Sequence, residues 1–579
     1  MEKTKVVVVG GGLAGLMSTL KIAEKQIPVD LISLVPVKRS HSVCAQGGVN
    51  AALNTKGEHD SVDQHFYDTV YGGDFLANQT PVRGLVENAP GLIYAMDRMG
   101  VQFTRTSEGL LDLRRFGGVK NKRTAFAGAT TGQQLLYALD EQVRHQEVLG
   151  LVTKYENWEM IDLILDDNGV CKGVVAQNLA TMEIKDFVAD AVVIATGGAG
   201  MIYGRSTNSV INTGSAAAIL YKHGVPYANG EFVQIHPTAM PGDDKNRLMS
   251  ESARGDGARV WTYKDGKPWY FLEERYPSYG NLVPRDIAAR EIYDVCVNMG
   301  LGIDGKNQVY LDLSHLPDDY LDRRLKGIMD IYQTFHGDDP HKVPMKIFPS
   351  VHYFMGGIHV DWEHQTRIPG LFAAGECDYM YHGANRLGAN SLLSAMHSGT
   401  VAGPAVVKYL GTLTKTAAES IGNNAELVVR KQQAEHDKLT RMDGNENPYL
   451  LHEEMSDIMY RNATIVRVNK NLEETDIKLQ EFQQRWNNIN VTDMGGYSNQ
   501  TIMYVRQLRG MMDLARVIVG GALRRNESRG SHYKPEFPKR DDENFLKTTL
   551  AIYNEKTGAP DFSWEEVDTS LLKPVERKY

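Results

Sequence analysis

Five short clusters set histidine and arginine among small residues. They are Gln234-Ile-His236-Pro-Thr238, Ser250-Glu251-Ser-Ala-Arg254, Pro284-Arg285-Asp286, Val351-His352-Tyr353, and His382-Gly-Ala-Asn385-Arg386-Leu-Gly388-Ala-Asn390-Ser391-Leu392-Leu393. Singly each is ordinary: a loop histidine before proline, a local Arg–Asp pair, an i, i+3 helix pair. Together they suit one substrate class. A small dicarboxylate has two anionic ends, and each is best met by forked or convergent donors. Two arginines, two histidines and the hydroxyl of Ser250 or Thr238 supply them. Clamping both ends also aims one carbon at a reacting group. A sixth stretch, Arg39-Ser40-His41-Ser-Val-Cys44-Ala-Gln46-Gly47-Gly48, puts a histidine beside paired glycines. That histidine could be a loop residue, a base, a metal ligand or a covalent anchor. Metal-ligand spacing of the H-x-x-x-H type and a G-x-S-x-G nucleophile are both missing, so no metal site is expected.

These residues need a frame. Val6–Val9 reads as a buried parallel strand. Gly10-Gly-Gly12-Leu-Ala-Gly15 follows, then an amphipathic run, then a second strand over 29–34. A G-x-G-x-x-G between strand and helix is a dinucleotide signal: Gly10 permits the turn, Gly12 admits the pyrophosphate, Gly15 lets helix and strand pack. The acid usual at the end of the second strand is replaced by Ser33, which can still hydrogen-bond a ribose. Strands are also expected at 191–200 and 370–376, the latter ending in Glu376. One nucleotide fingerprint and no cysteine pair favour FAD alone.

With 579 residues the chain is too long for one core. The fold class expected is α/β: a Rossmann-like FAD-binding domain (1–231 and 352–409), an inserted α+β capping domain (232–351), a helical domain (410–527) and a C-terminal region (528–579). The opening stretch of that last region, S-R-G-S-H-Y-K-P-E-F-P-K-R-D-D, is basic and proline-bearing, and reads as a tail packed on the surface. A net charge of −9 argues against nucleic acid. Four scattered cysteines suit a reducing compartment. No 18-residue apolar run or signal-peptide core is found, so a cytoplasmic protein is expected.

The motifs G-x-G-x-x-G, R-S-H-x-x-x-A-Q-G-G, H-P-T, R-D, H-Y-x-M-G-G, H-G-A-N-R-L-G-x-N-S-L-L and R-N-E-S-R-G-x-H occur in order between residues 6 and 532. Together they resemble the flavoprotein subunits of succinate dehydrogenase and fumarate reductase. The resemblance implies FAD bound covalently through flavin C8α to His41. It implies cofactor contacts at Arg39, Ser40, Gln46, Gly47, Gly48, Glu376, Arg386, Ser391 and Leu392. The dicarboxylate is then held by His236, Ser250, His352 and Arg386, with Phe116 near one end. Arg285 exchanges a proton with it, relayed by Glu251 and Arg254. The implied partners are an iron–sulfur subunit and membrane anchor subunits with quinone. The implied location is the cytoplasmic face of a prokaryotic membrane. Every residue invoked serves oxidation and reduction alike.

Departures from the family pattern also carry expectations. Ala253 stands where a cysteine is frequent, which implies weak inhibition by thiol reagents. Ser215 stands where an aspartate is frequent, and the W-x-x-H-T near the end is absent. Cys44 is read as a small packing residue near the flavin. L-aspartate oxidase shares the arginine pair but lacks the covalent histidine. A non-catalytic flavoprotein module and a soluble fumarate reductase are further alternatives.

Overall fold

The computed structural model describes residues 4–579. Its centre is a five-stranded parallel sheet in the order Leu371–Ala373, Ala191–Ile194, Val6–Val9, Val29–Ser33, Val152–Glu156. The four expected strands are all present. The fifth, Val152–Glu156, lies at the sheet edge with only Val152 buried and gave no apolar run to read. Val6–Val9 is wholly buried, as parallel strands covered on both faces are. The chain turns from it at Gly10, where φ is +119° and a Cβ would lie 2.2 Å from the Ala195 carbonyl oxygen. The helix Leu13–Ala23 then starts close beneath the turn: a Cβ on Gly15 would lie 1.8 Å from the Gly10 carbonyl oxygen. Both glycines are therefore demanded by packing.

The inserted segment has its own antiparallel sheet, in the order Arg247–Leu248, Val233–Met240, Met345–Phe354, Val309–Asp312, Arg259–Lys264, Lys267–Trp269. A separate apolar core including Met249, Phe271, Leu311 and Ile347 backs it. The strand Met345–Phe354 runs across the 351/352 boundary expected from sequence.

The helices Pro448–Asn462, Asn469–Arg485 and Gln500–Arg524 lie in the segment expected to be helical. The C-terminal region corrects the surface-tail reading. Lys547–Asn554 and Ala559–Glu566 form a hairpin that extends a sheet with Tyr227–Ala228 and Gly357–Ile358. Those two short strands flank the crossings into and out of the inserted segment, so the hairpin pins its base. Part of the basic stretch expected on a surface is buried instead: Arg529 pairs with Glu527 at 2.8 Å with no exposure of either side chain, and Arg540 reaches Asp74 at 2.8 Å, while Lys539 stays exposed. Among the described residues no helix is long and apolar enough to cross a membrane.

Candidate active site

A cavity of about 390 Å³ runs from the glycine turn at Gly10–Gly12 to the inserted segment. Its lining brings together most of the expected site: Gly10, Gly12, Ser33, Ser40, His41, Gln46, Gly47, Gly48, Phe116, His236, Ser250, Glu251, Arg285, His352, Glu376, Arg386, Ser391 and Leu392. Three expected residues lie outside it. Gly15 packs beneath the turn. Arg254 stands one layer behind Glu251. Arg39 is exposed, at the end of a short 3-10 turn outside the cavity lining.

The basic end of the cavity is built on the inserted sheet. Val233–Met240 pairs with Met345–Phe354, and the ladder slips on both sides of the Ile235–His236 step. Such bulges re-aim side chains. His236 and His352 come together edge to face, with ring centroids 4.8 Å apart. The Thr238 amide donates to His236 Nδ1 at 3.2 Å, which leaves Nε2 as the donor. Burial, then Arg285, holds both imidazoles well below the ordinary value, so both are neutral near pH 7.

Arg386 lies between them and the cofactor end. It is 2% exposed, its Nε has no hydrogen-bond partner, and its guanidinium lies over the Tyr353 ring at 4.3 Å. Burial, then the neighbouring charge of Arg285, pushes it down to about 9. A buried cation without a carboxylate costs several kcal/mol unless a bound anion offsets it.

Arg285 opens the helix Arg285–Tyr293 and points back at Glu251. Its Nε donates to Glu251 Oε2 at 2.6 Å and its Nη1 to Gln234 Oε1 at 2.9 Å. The other carboxylate oxygen accepts from Arg254 Nη2 at 3.0 Å and from the Gly117 amide at 2.9 Å. A Cβ on Gly117 would lie 2.1 Å from that oxygen, so the loop beside Phe116 must carry glycine there. Burial alone would raise Glu251; Arg285 and Arg254 outweigh it and keep the carboxylate ionised. Gln234 was not assigned a role from sequence, although it stands two residues before His236 in the first cluster.

At the cofactor end, Ser33 Oγ donates to the Val35 carbonyl at 2.6 Å while lining the cavity. Glu376 accepts from the Phe354 amide at 3.1 Å, and burial raises it to about 7. His41 has the Ser209 amide donating to Nδ1 at 3.2 Å. Cys44 departs from the packing role expected of it: it is exposed on the cavity wall, while Ala253 is buried. Ser215 also lines the cavity. Among the described residues no group of His, Cys, Asp or Glu is arranged to hold a metal.

Fold and cavity define a dinucleotide-binding class of protein whose cavity gathers buried arginines and histidines. A family model described as FAD binding domain matches residues 5–392, and one described as fumarate reductase flavoprotein C-term matches 452–579. The chain belongs to the succinate dehydrogenase and fumarate reductase flavoprotein subunits. It is 61% identical to the succinate dehydrogenase flavoprotein subunit of Bacillus subtilis, over 100% of this chain and 99% of that one. It is 34% identical to the fumarate reductase flavoprotein subunit of Escherichia coli, over 99% and 95%. A solved structure of E. coli quinol fumarate reductase superposes with a TM-score of 0.92 at 33% identity, over 100% of this chain and 99% of that one.

Proposed function

We propose that this chain interconverts succinate and fumarate, with FAD held at His41 and electrons exchanged with an iron–sulfur subunit and, through anchor subunits, membrane quinone. The observation that supports it most is the uncompensated Arg386, facing one cavity with two neutral histidines and the Arg285–Glu251 pair. The residues fit the cofactor: the glycine turn and helix start offer amides to a pyrophosphate, and Glu376 is an unpaired carboxyl at the end of a sheet strand. FAD supplies hydride acceptance and donation at its N5.

The chain's residues do the rest. Arg386, His236 and His352 grip the carboxylates, with the Ser250 hydroxyl and Phe116 at the wall. Gripping both ends turns one substrate carbon toward Arg285 and the opposite face toward the cofactor. Arg285 gives or takes the proton at its guanidinium. An arginine with a pKa above about 12 disfavours the neutral form, so the proton must move on at once. Glu251, bonded to Arg285 through Oε2 and to Arg254 through Oε1, is the relay. Location on the inner face of a bacterial membrane follows from this partnership.

The tether is tested by acid-precipitating the protein and viewing it under ultraviolet light. Fluorescence retained on the denatured polypeptide supports covalent attachment. Its complete release favours an L-aspartate oxidase-like reading.

A further inference from the structure

Residues 207–209 join the two histidines at either end of the site. Thr207 Oγ1 hydrogen-bonds His352 Nδ1 at 2.7 Å. Asn208 Nδ2 donates to the His352 carbonyl at 2.8 Å and sits 3.3 Å from His41 Nε2. The Ser209 amide donates to His41 Nδ1 at 3.2 Å. Asn208 is 2% exposed. Its Oδ1 is buried without a partner. The carbonyl of His352 fixes which end of the amide faces His41. A strap from the inserted segment closes over this bracket: Lys245 Nζ donates to the Asn208 carbonyl at 2.8 Å, and Asn246 Nδ2 to Ser350 Oγ at 2.9 Å.

Fixed N–H donors thus face both nitrogens of His41. A neutral imidazole accepts at only one nitrogen and carries a proton on the other. Either neutral tautomer therefore meets one N–H head-on, and Asn208 supplies the donor that disfavours a proton on Nε2, as the Ser209 amide does at Nδ1, so the ring gives up its proton more readily. We propose that Asn208, clipped by Lys245, is a positioning residue that readies His41 Nε2 for attachment to the flavin. The inference rests on His41 being the tether. In the attachment, an Nε2–C bond replaces one N–H and one C–H bond. Both protons leave, and the two electrons stay on the flavin ring, which is thereby reduced. The surroundings then match the product, a ring with one lone pair, at Nδ1, under the Ser209 amide. Lys245, carried by the inserted segment, thereby ties that segment to the residue beside His41.

The test expresses the full chain with its partner subunits in a bacterial host and measures total and covalent FAD separately. Asn208→Asp keeps the side-chain shape but replaces the donor with an acceptor that holds a proton on Nε2. The expected result is near-normal total FAD with the covalent fraction reduced about tenfold. Lys245→Met is expected to lower the covalent fraction about threefold, and Lys245→Arg, which restores a cation at the Asn208 carbonyl, to recover it. Wild-type covalent fractions in both Asn208→Asp and Lys245→Met would overturn the proposal. Should Asn208→Asp fail to fold, the Met and Arg pair at Lys245 decides alone, with equal covalent fractions contradicting it. A wild-type chain without covalent flavin, or one that keeps it in His41→Ser, would instead sink the tether reading itself.

Discussion

Arg285 and Glu251 form a closed ion pair: Nε to Oε2 at 2.6 Å, with side-chain exposures of 5% and 0%. The same carboxylate is shared with Arg254, so a proton on Arg285 would have an internal path away from the cavity. Replacing Arg285 with lysine keeps the charge but not the fork. Turnover in Arg285→Lys should fall by about 10²–10⁴-fold, the usual contribution of a positioned acid or base, with dicarboxylate affinity changed far less. Steady-state kinetics with a competitive dicarboxylate as the binding control separates the two effects. Near-normal turnover would leave Arg285 as a carboxylate ligand only.

Arg386 should show opposite signs in stability and binding. In the empty cavity it is a buried cation without a carboxylate, so Arg386→Met should raise the melting temperature of the flavin-free chain. Affinity for an unreactive dicarboxylate such as malonate should fall by about 100-fold or more, on the order of 3 kcal/mol. Calorimetry reads both. A lower melting temperature together with weaker binding would mean that Arg386 is paired in the empty protein.

Glu376 predicts a pH dependence. Its folded pKa of about 7 lies above its ordinary value of 4.5, because burial disfavours the carboxylate. The folded chain therefore holds an extra proton between those values. Its stability falls as pH rises through that window and is lowest above about 7. Glu376→Gln should stabilise the flavin-free chain at pH 8, by up to about 3 kcal/mol, and have little effect at pH 4. Denaturant titrations at the two pH values decide it; equal effects at both would refute the assignment.

Cys44 lies exposed on the cavity wall, whereas Cys171, Cys296 and Cys377 are buried. Alkylation of the flavin-free folded chain should therefore mark Cys44 alone, slowly because burial against the wall raises its thiol pKa. Bound FAD should slow it further. Peptide mapping showing equal labelling of a buried cysteine would contradict this placement.

The strand–glycine–helix unit was legible because its signals are local: four consecutive valines, then glycines at positions where packing admits nothing larger. The gathering of His236, Arg285, His352 and Arg386 in one cavity was legible because each sits in a short distinctive cluster. What was hidden is non-local. The Asn208–His41 bracket spans 167 residues of sequence, and Asn208 belongs to no cluster of charged groups. The C-terminal hairpin pairs with Tyr227–Ala228 across more than 300 residues, and its basic flank looked like a surface because a carboxylate that meets it, Asp74 against Arg540, lies far away in sequence. The exposure of Arg39 could not be read from a motif that fixes backbone and not side-chain direction.

The central claim is that this site oxidises succinate through bound flavin. The assembled protein, made anaerobic with its flavin oxidised, should lose its visible flavin absorbance on addition of succinate and regain it with fumarate. L-aspartate at the same concentration should leave it unchanged. Bleaching by L-aspartate with no response to succinate would contradict the account.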